Sequence, residues 1–302
     1  MDKNSDYLNS RFPEDLFPPA PEHRNEYYQR ILEGRSKCND YNVLITGLCR
    51  NIINVLPQTC ARLRKTMSFF KQAKVLIYEN DSDDGTSEAL KKEFEGNNDV
   101  ILVQEKTGHM MFGNTTDVER PLYLGKLRQK CNGFIRGINK FFPIDFVIVI
   151  DLDLEGGWSY DGIFNSFGYE EWSAITSNGI LYKEKIIRGS DGSKSIEYDR
   201  LFYDTFAYKD YGSWKVLDCK TTGRKKFERG EKPFMVYSNF NGLGIYKYND
   251  MIDCTFGAHK NPDGTVINEC SFMHNQMIKN GCDCIPIKRD FQIRGELYAT
   301  NQ

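Results

Sequence analysis

The stretch FVIVIDLDLEGGW, residues 146–158, runs five apolar residues into Asp151, Leu152, Asp153, Leu154 and Glu155 and closes on two glycines and a tryptophan. An uninterrupted run of Phe, Val and Ile of this length reads as a strand buried on both faces, as in a parallel sheet. Carboxylates are costly in a dry interior unless they are paired or hold a cation. Three of them at the end of such a strand therefore mark either a site or a solvated turn. For a site, hard Mg²⁺ or Mn²⁺ is the fitting ion, because it takes one or two carboxylates together with phosphate oxygens of a substrate.

Upstream the pattern alternates. NVLITGL reads as a strand, PQTCARLRKTMSFFKQ as a helix with Pro57 in its first turn, and AKVLIYEN as a second strand. SEALKKEFEG then reads as a helix, DVILVQEK as a third strand and RPLYLGKLRQKCNGFIRGINKFF as a long amphipathic helix. Strand and helix in alternation with short links predict an α/β fold, a doubly wound Rossmann-type sheet with helices on both faces and ligands beyond the carboxyl ends of its strands. Residues 1–40 are polar and punctuated by Pro13, Pro18, Pro19 and Pro21, which predicts an arm with a short helix, followed by a single domain over 41–302. WSAITSNGILY, IEYDRLFYDTFAY and FMVYSNFNGLGIYKY are aromatic and glycine-broken, and are expected to extend the sheet as mixed strands. The charged stretch CKTTGRKKFERGEKP, 219–233, reads as a loop that could order over a ligand or stay solvated.

Bulk properties narrow the function. A net charge of −2 with 27% charged residues provides no basic field, so nucleic acid is not an expected partner. The amino terminus lacks the apolar core of a secretory leader, and no apolar run reaches the ~18 residues of a membrane span. Nine cysteines, the only tight pair being Cys282 and Cys284, form neither a zinc spacing nor a disulfide framework. The expectation is reduced thiols and a cytoplasmic location.

IYENDSDDGTSEALKK, residues 77–92, ends the second strand on Glu79, Asn80 and Asp81, turns at Asp84 and Gly85, and offers Thr86 or Ser87 as a helix cap. It is either a well-capped acidic turn or a place where a carboxylate receives a nucleoside base or ribose. IYENDSDDGT resembles the second-strand signature of GT-A glycosyltransferases, VIDLDLEGG resembles their Asp-x-Asp motif, and RPLYLGKLRQKCNGFI resembles the arginine-bearing helix before it. LFYDTFAY, SNFNGLGIYKY and NECSFMHNQMIKNG are similar to segments of the fungal capsule-associated mannosyltransferases and related surface-glycan enzymes, so that matching blocks run in order from 41 to about 290.

The resemblance implies transfer of a hexose, with mannose as the guess, from a UDP- or GDP-sugar to a glycan acceptor, with Mn²⁺ or Mg²⁺ as cofactor. It implies Gly47 and Arg50 under the nucleoside, Glu79 and Asp81 at the base or ribose, and Arg120 and Arg128 at the diphosphate. Asp151 and Asp153 would hold the metal, Gly242 would let backbone approach the donor sugar, and Glu269 would be the general base. Cys270 stands where the family pattern has histidine, and His274, four residues on and the last histidine of the chain, is either a metal ligand or donor or a structural histidine. Two alternatives remain. A HAD-type phosphatase also begins on a hydrophobic strand with Asp-x-Asp, but here three strand-helix units precede the motif. A non-catalytic glycan- or nucleotide-sugar-binding protein on the same fold would not need the intact set of Asp151, Asp153, Arg120, Arg128 and Glu269.

Overall fold

The computed structural model describes residues 18–113, 117–188, 190, 192–211, 227–282 and 285–287. The FVIVI run is a strand, Phe146–Ile150 (β4), with all five residues buried. It lies in one nine-stranded sheet beside β1 (Asn42–Cys49), which neighbours β2 (Gln72–Asn80) and then β3 (Val100–Glu105), all parallel. On its other side the sheet becomes mixed. β10 (Leu243–Lys247) runs antiparallel to β4 and to β5 (Ala174–Thr176). β13 (Ile285–Ile287), β9 (Phe234–Ser238) and β8 (Lys209–Asp210) complete it.

Period-two alternation divides the buried side chains between two faces. Val43, Ile45, Ile148 and Ile150 meet α1 (Arg24–Cys38), α2 (Leu56–Met67), α3 (Thr86–Glu93) and α5 (Tyr160–Phe167) on one face. Leu44, Leu76, Val147 and Val149 meet α4 (Glu119–Asn139), α6 (Tyr248–Met251) and α7 (Glu269–Lys279) on the other. The expected α/β sheet with helices on both faces is thus the observed one. Among the described cysteines six are buried and none is in a disulfide, and no described helix is long and apolar enough to cross a membrane.

Two expectations need revision. The aromatic strands do not all join the main sheet: β6 (Ile180–Arg188) and β7 (Lys194–Phe202) pair only with each other as an antiparallel ribbon. Thr86 does not cap α3. Gly85, with φ of 91°, stands at that position, and Thr86 Oγ1 instead accepts the Ile52 N–H at 2.9 Å. Of the charged stretch 219–233, residues 219–226 lie outside the described residues.

The helix expected near the amino terminus is α1, and it enters the main core through Tyr27, Ile31 and Cys38. Gly34 lets it lie directly on α5, since a Cβ there would come within 1.7 Å of the Phe164 carbonyl oxygen. Arg30 Nε reinforces the contact by donating to Asn165 Oδ1 at 2.9 Å. Gly34→Ala sets two effects against each other: alanine favours a helix by about 1 kcal/mol, whereas forcing a methyl into packed backbone costs about 1–3 kcal/mol or more. The contact here is backbone on both sides and cannot yield by a rotamer change. The expected result is a lower denaturation midpoint with an unchanged slope; an unchanged or higher midpoint would show that α1 slides off α5 at no cost.

Candidate active site

The loop that follows β4 is held from below. Gln58, Thr59, Arg62 and Thr66 form one buried face of α2, at successive spacings of one, three and four residues. Thr59 Oγ1 donates to the Leu152 carbonyl at 3.1 Å, Gln58 Nε2 to that of Glu155 at 2.7 Å, and Arg62 Nη1 to that of Trp158 at 2.6 Å. Trp158 Nε1 in turn donates to Thr66 Oγ1 at 2.9 Å. Gly157 is required, with φ of 62° and no space for a Cβ beside Arg62. Leu152, Leu154 and Trp158 are buried, and Asp151 and Asp153 are left pointing away from the core. Gly47 serves this arrangement by packing: its α-hydrogens sit where a Cβ would lie 2.4 Å from the Ile150 carbonyl oxygen.

Arg128 organises what lies above. It rises from α4 with 7% exposure, donates through Nη2 to Asp151 Oδ1 at 3.1 Å, and places Nε 3.6 Å from Glu269 Oε1. Its guanidinium also covers the Phe240 ring, 4.9 Å from the centroid. Glu269 is the first residue of α7, behind an Asn268 cap that accepts the Ser271 N–H. It can approach α4 because Gly125 lacks a side chain; a Cβ there would lie 3.3 Å from Glu269 Cβ. Gly242, with φ of 86°, presents its carbonyl to the Asp151 N–H at 2.9 Å and so fixes the first carboxylate at the end of β4.

Charge is strained in this cleft. Burial raises Asp151 above the ordinary carboxylate range, Arg128 pulls it back, and Asp153 and Asp204 push it further up. Burial likewise raises Asp153 against the pull of Arg128 and Arg120. Asp153 keeps an accessible side chain although protein surrounds it closely: the first property governs what ligand can reach it, the second what its charge costs. Glu269 is raised by burial, with Arg128 and Arg120 opposing and Asp204 adding to the shift. Arg128, Asp151, Asp153 and Glu269 therefore gather at the carboxyl end of β4, with Arg120 within electrostatic reach of Asp153 and Glu269. Asp204, just after β7, lies in the LFYDTFAY block, to which the sequence reading gave no site role.

The other residues fall elsewhere. Glu79 is buried at the end of β2, where Oε1 accepts the Ser82 N–H at 3.0 Å. Asp81 takes the left-handed conformation, φ 53°, and accepts the Gly108 N–H at 2.9 Å together with Asn80 Nδ2 and the Thr107 hydroxyl. Arg50 donates to the His109 carbonyl at 3.0 Å. Asp81 and Arg50 anchor the segment after β3, where His109 stacks on Tyr123 at 4.2 Å, an aromatic wall the motifs did not indicate, while Glu79 holds the turn after β2. Cys49 joins the two groups electrostatically, lying within reach of both Glu79 and Asp153. His274 is removed from both. Its Nδ1 is 3.0 Å from Ser238 Oγ and its Nε2 3.0 Å from Tyr246 OH, and burial lowers its pKa to about 3. With both nitrogens filled by side chains, the metal-ligand reading of His274 is replaced by a structural one.

No group of three or more His, Cys, Asp or Glu side chains poised for a metal occurs among the described residues. Two adjacent carboxylates with raised pKa values, one of them accessible, nevertheless fit a cation that completes its shell with substrate oxygens. No protein-family model and no curated protein matches the chain. Among solved structures it is similar to the mannosyltransferase PcManGT of Pyrobaculum calidifontis in complex with GDP-Man and Mn²⁺, at 10% identity and TM-score 0.44 over 93% of this chain and 68% of that one. It is also similar to GalNAc-T7 with UDP, GalNAc and Mn²⁺, at 10% identity and TM-score 0.45 over 94% and 55%. Staphylococcus aureus TarS 1-349 with UDP-GlcNAc gives 10% identity and TM-score 0.46 over 86% and 60%. The chain spans less than two thirds of the length of the last two.

Asp81 supplies a pH test of the loop anchor. Burial would raise its pKa, but hydrogen bonds from Thr107, Asn80 and the Gly108 N–H outweigh that and lower it to about 2. A carboxyl depressed on folding adds stability that is complete above its unfolded pKa, near 4, and is lost as pH falls toward 2. Asp81→Asn should therefore lower stability at pH 7 and flatten its fall between about pH 4 and pH 2, followed by urea melts. Parallel acid limbs for the two proteins would mean that Asp81 makes no such anchor.

Proposed function

We propose that the chain is a GT-A-like, metal-dependent glycosyltransferase that moves a hexose from a UDP- or GDP-sugar to a glycan acceptor. The observation that carries this reading is the single buried guanidinium of Arg128 shared by Asp151 and Glu269, beside an accessible Asp153, where a parallel sheet meets an antiparallel strand. Ligands of open α/β sheets bind beyond the carboxyl ends of the strands where strand order reverses, here between β1 and β4, and these residues stand at the carboxyl end of β4. The resemblance of the Asp-x-Asp and second-strand segments to GT-A enzymes points the same way, with mannose as the hexose it suggests.

Asp153 and Asp151 would hold Mn²⁺ or Mg²⁺, which supplies Lewis-acid neutralisation of the departing diphosphate. Arg120, on the first turn of α4, contributes positive charge to the same side of the cleft. The acceptor hydroxyl oxygen forms a bond to the anomeric carbon as the bond from that carbon to the diphosphate breaks. The hydroxyl proton passes to Glu269, whose affinity for it is increased by burial. Cys270 follows Glu269 with its sulfur 3.9 Å from Oε1, so the position after the base offers a weak donor in place of an imidazole.

Two measurements test the reading. Asp153→Asn should abolish Mn²⁺-dependent thermal stabilisation by nucleotide-sugars while the protein stays folded, since removing one of two adjacent carboxylates relieves repulsion. Full transfer activity in the presence of a chelator would dismiss the metal site. Glu269→Gln should leave donor binding intact and lower transfer by about 10²-fold or more, because Arg128 keeps its Asp151 partner. Transfer at the wild-type rate would reduce Glu269 to a partner for Arg128.

A further inference from the structure

The segment Tyr203–Lys209 follows the β6–β7 ribbon back to the cleft and is built more rigidly than a connection requires. The Asp204 N–H donates to Asn241 Oδ1 at 2.6 Å, and Asn241 is the residue before Gly242, whose carbonyl holds the Asp151 N–H. Asn241 is itself fully buried, has φ of 54°, donates to Asn239 Oδ1 at 3.2 Å and receives the Ser177 hydroxyl on its carbonyl at 2.6 Å. On the far side of the turn, the Ala207 carbonyl accepts from Ser271 Oγ at 3.2 Å, two residues along α7 from Glu269. Asp204 is thus clamped between the segment that sets Asp151 and the helix that carries Glu269.

Its own carboxylate is only half used. Oδ1 accepts the Ala207 N–H at 3.0 Å, and no protein donor lies on Oδ2 among the described residues. A carboxylate fixed at this place repels a diphosphate, which Arg120 and Arg128 suit instead. What it can accept is a neutral hydrogen-bond donor. A nucleotide-sugar carries such donors on its base, its ribose and its hexose, and the Asp204 turn is tied to the start of the helix that bears Glu269, the group placed at the anomeric centre, so the hexose hydroxyls are the donors on its side of the cleft.

We infer that Asp204 is a specificity-determining residue that accepts a hydrogen bond from a hydroxyl of the transferred hexose through Oδ2. The assignment rests on the glycosyltransferase reading above and extends it to the sugar side of the cleft. The electrostatic coupling of Asp204 to Asp151, Glu269 and Tyr203 agrees with that placement.

The test compares affinities by calorimetry with Mn²⁺ present, on the full chain: GDP-mannose against GDP, and UDP-N-acetylglucosamine and UDP-glucose against UDP. Asp204→Asn keeps an oxygen for the Ala207 N–H and loses the anionic acceptor, and Asp204→Ala with a thermal melt checks that the turn survives. In the wild type one sugar nucleotide should bind more tightly than its bare nucleotide. In Asp204→Asn that advantage should fall about tenfold or more, the scale of a hydrogen bond to a charged group, while binding of the bare nucleotide changes by less than about twofold. An advantage preserved in the variant overturns the assignment of Asp204 alone. Loss of bare-nucleotide binding in the variant also overturns it, by moving the residue to the diphosphate or cation. A wild-type protein that binds no nucleotide overturns the glycosyltransferase reading, and this assignment with it.

Discussion

A guanidinium that is almost wholly out of water sets the terms for this molecule. Arg128 touches solvent with 7% of its surface, and its partners come from the end of β4 and the start of α7, elements far apart in the chain. Breaking such a pair from one side strands the other charge, at a cost of about 3–5 kcal/mol. The long helix α4, the central strand and α7 are therefore bound to one another by a constraint that packing alone would not impose. The same constraint explains why several carboxylates can share a cleft without driving it open.

The position of that cleft follows from chain direction. Strands β1 to β4 all point their carboxyl ends the same way, and β10 enters beside β4 from the opposite sense. The reversal brings the Asn241-Gly242 turn against the end of β4, where two successive positive φ values aim a carbonyl at Asp151. An ordinary side chain in place of Gly242 would pay for that geometry in strain. The crevice is thus a result of topology, and its walls are furnished by residues as far apart in sequence as Arg120 and Glu269.

Much of this was legible from local pattern. The apolar run before Asp151 and the strand-helix alternation follow from periodicity and from turn residues that depend on near neighbours, as does a helix near the amino terminus, though its reading as part of an arm gave no sign that Tyr27, Ile31 and Cys38 enter the core. Of the candidate site, Arg120, Arg128, Asp151, Asp153 and Glu269 meet in space. Glu79, Asp81 and Arg50 spend their hydrogen bonds on neighbouring turns, a competition invisible in a linear motif. His274 looked like a free ligand because the sequence does not show that Ser238 and Tyr246 arrive on either side of its ring. Asp204 stood inside the LFYDTFAY block without a role for the converse reason: its place depends on Asn241, which accepts its N–H, and on Ser271 of α7, which holds the Ala207 carbonyl of the same turn, and neither is near it in sequence.

The polar face of α2 has a consequence for heredity. Gln58, Thr59, Arg62 and Thr66 lie beneath the carboxylate loop, buried, and grip backbone carbonyls and an indole instead of any ligand. Carbonyls are present whatever side chain the loop carries, so the grip is indifferent to the identity of the residues above it. Substitution in the loop's exposed positions can thus be explored by descent while the helix stays constant, and lineages that differ in what they bind would still share these four side chains. Alleles that alter them would behave genetically as lesions of the site, although these side chains hold the loop from beneath and touch its backbone and Trp158 rather than Asp151 or Asp153.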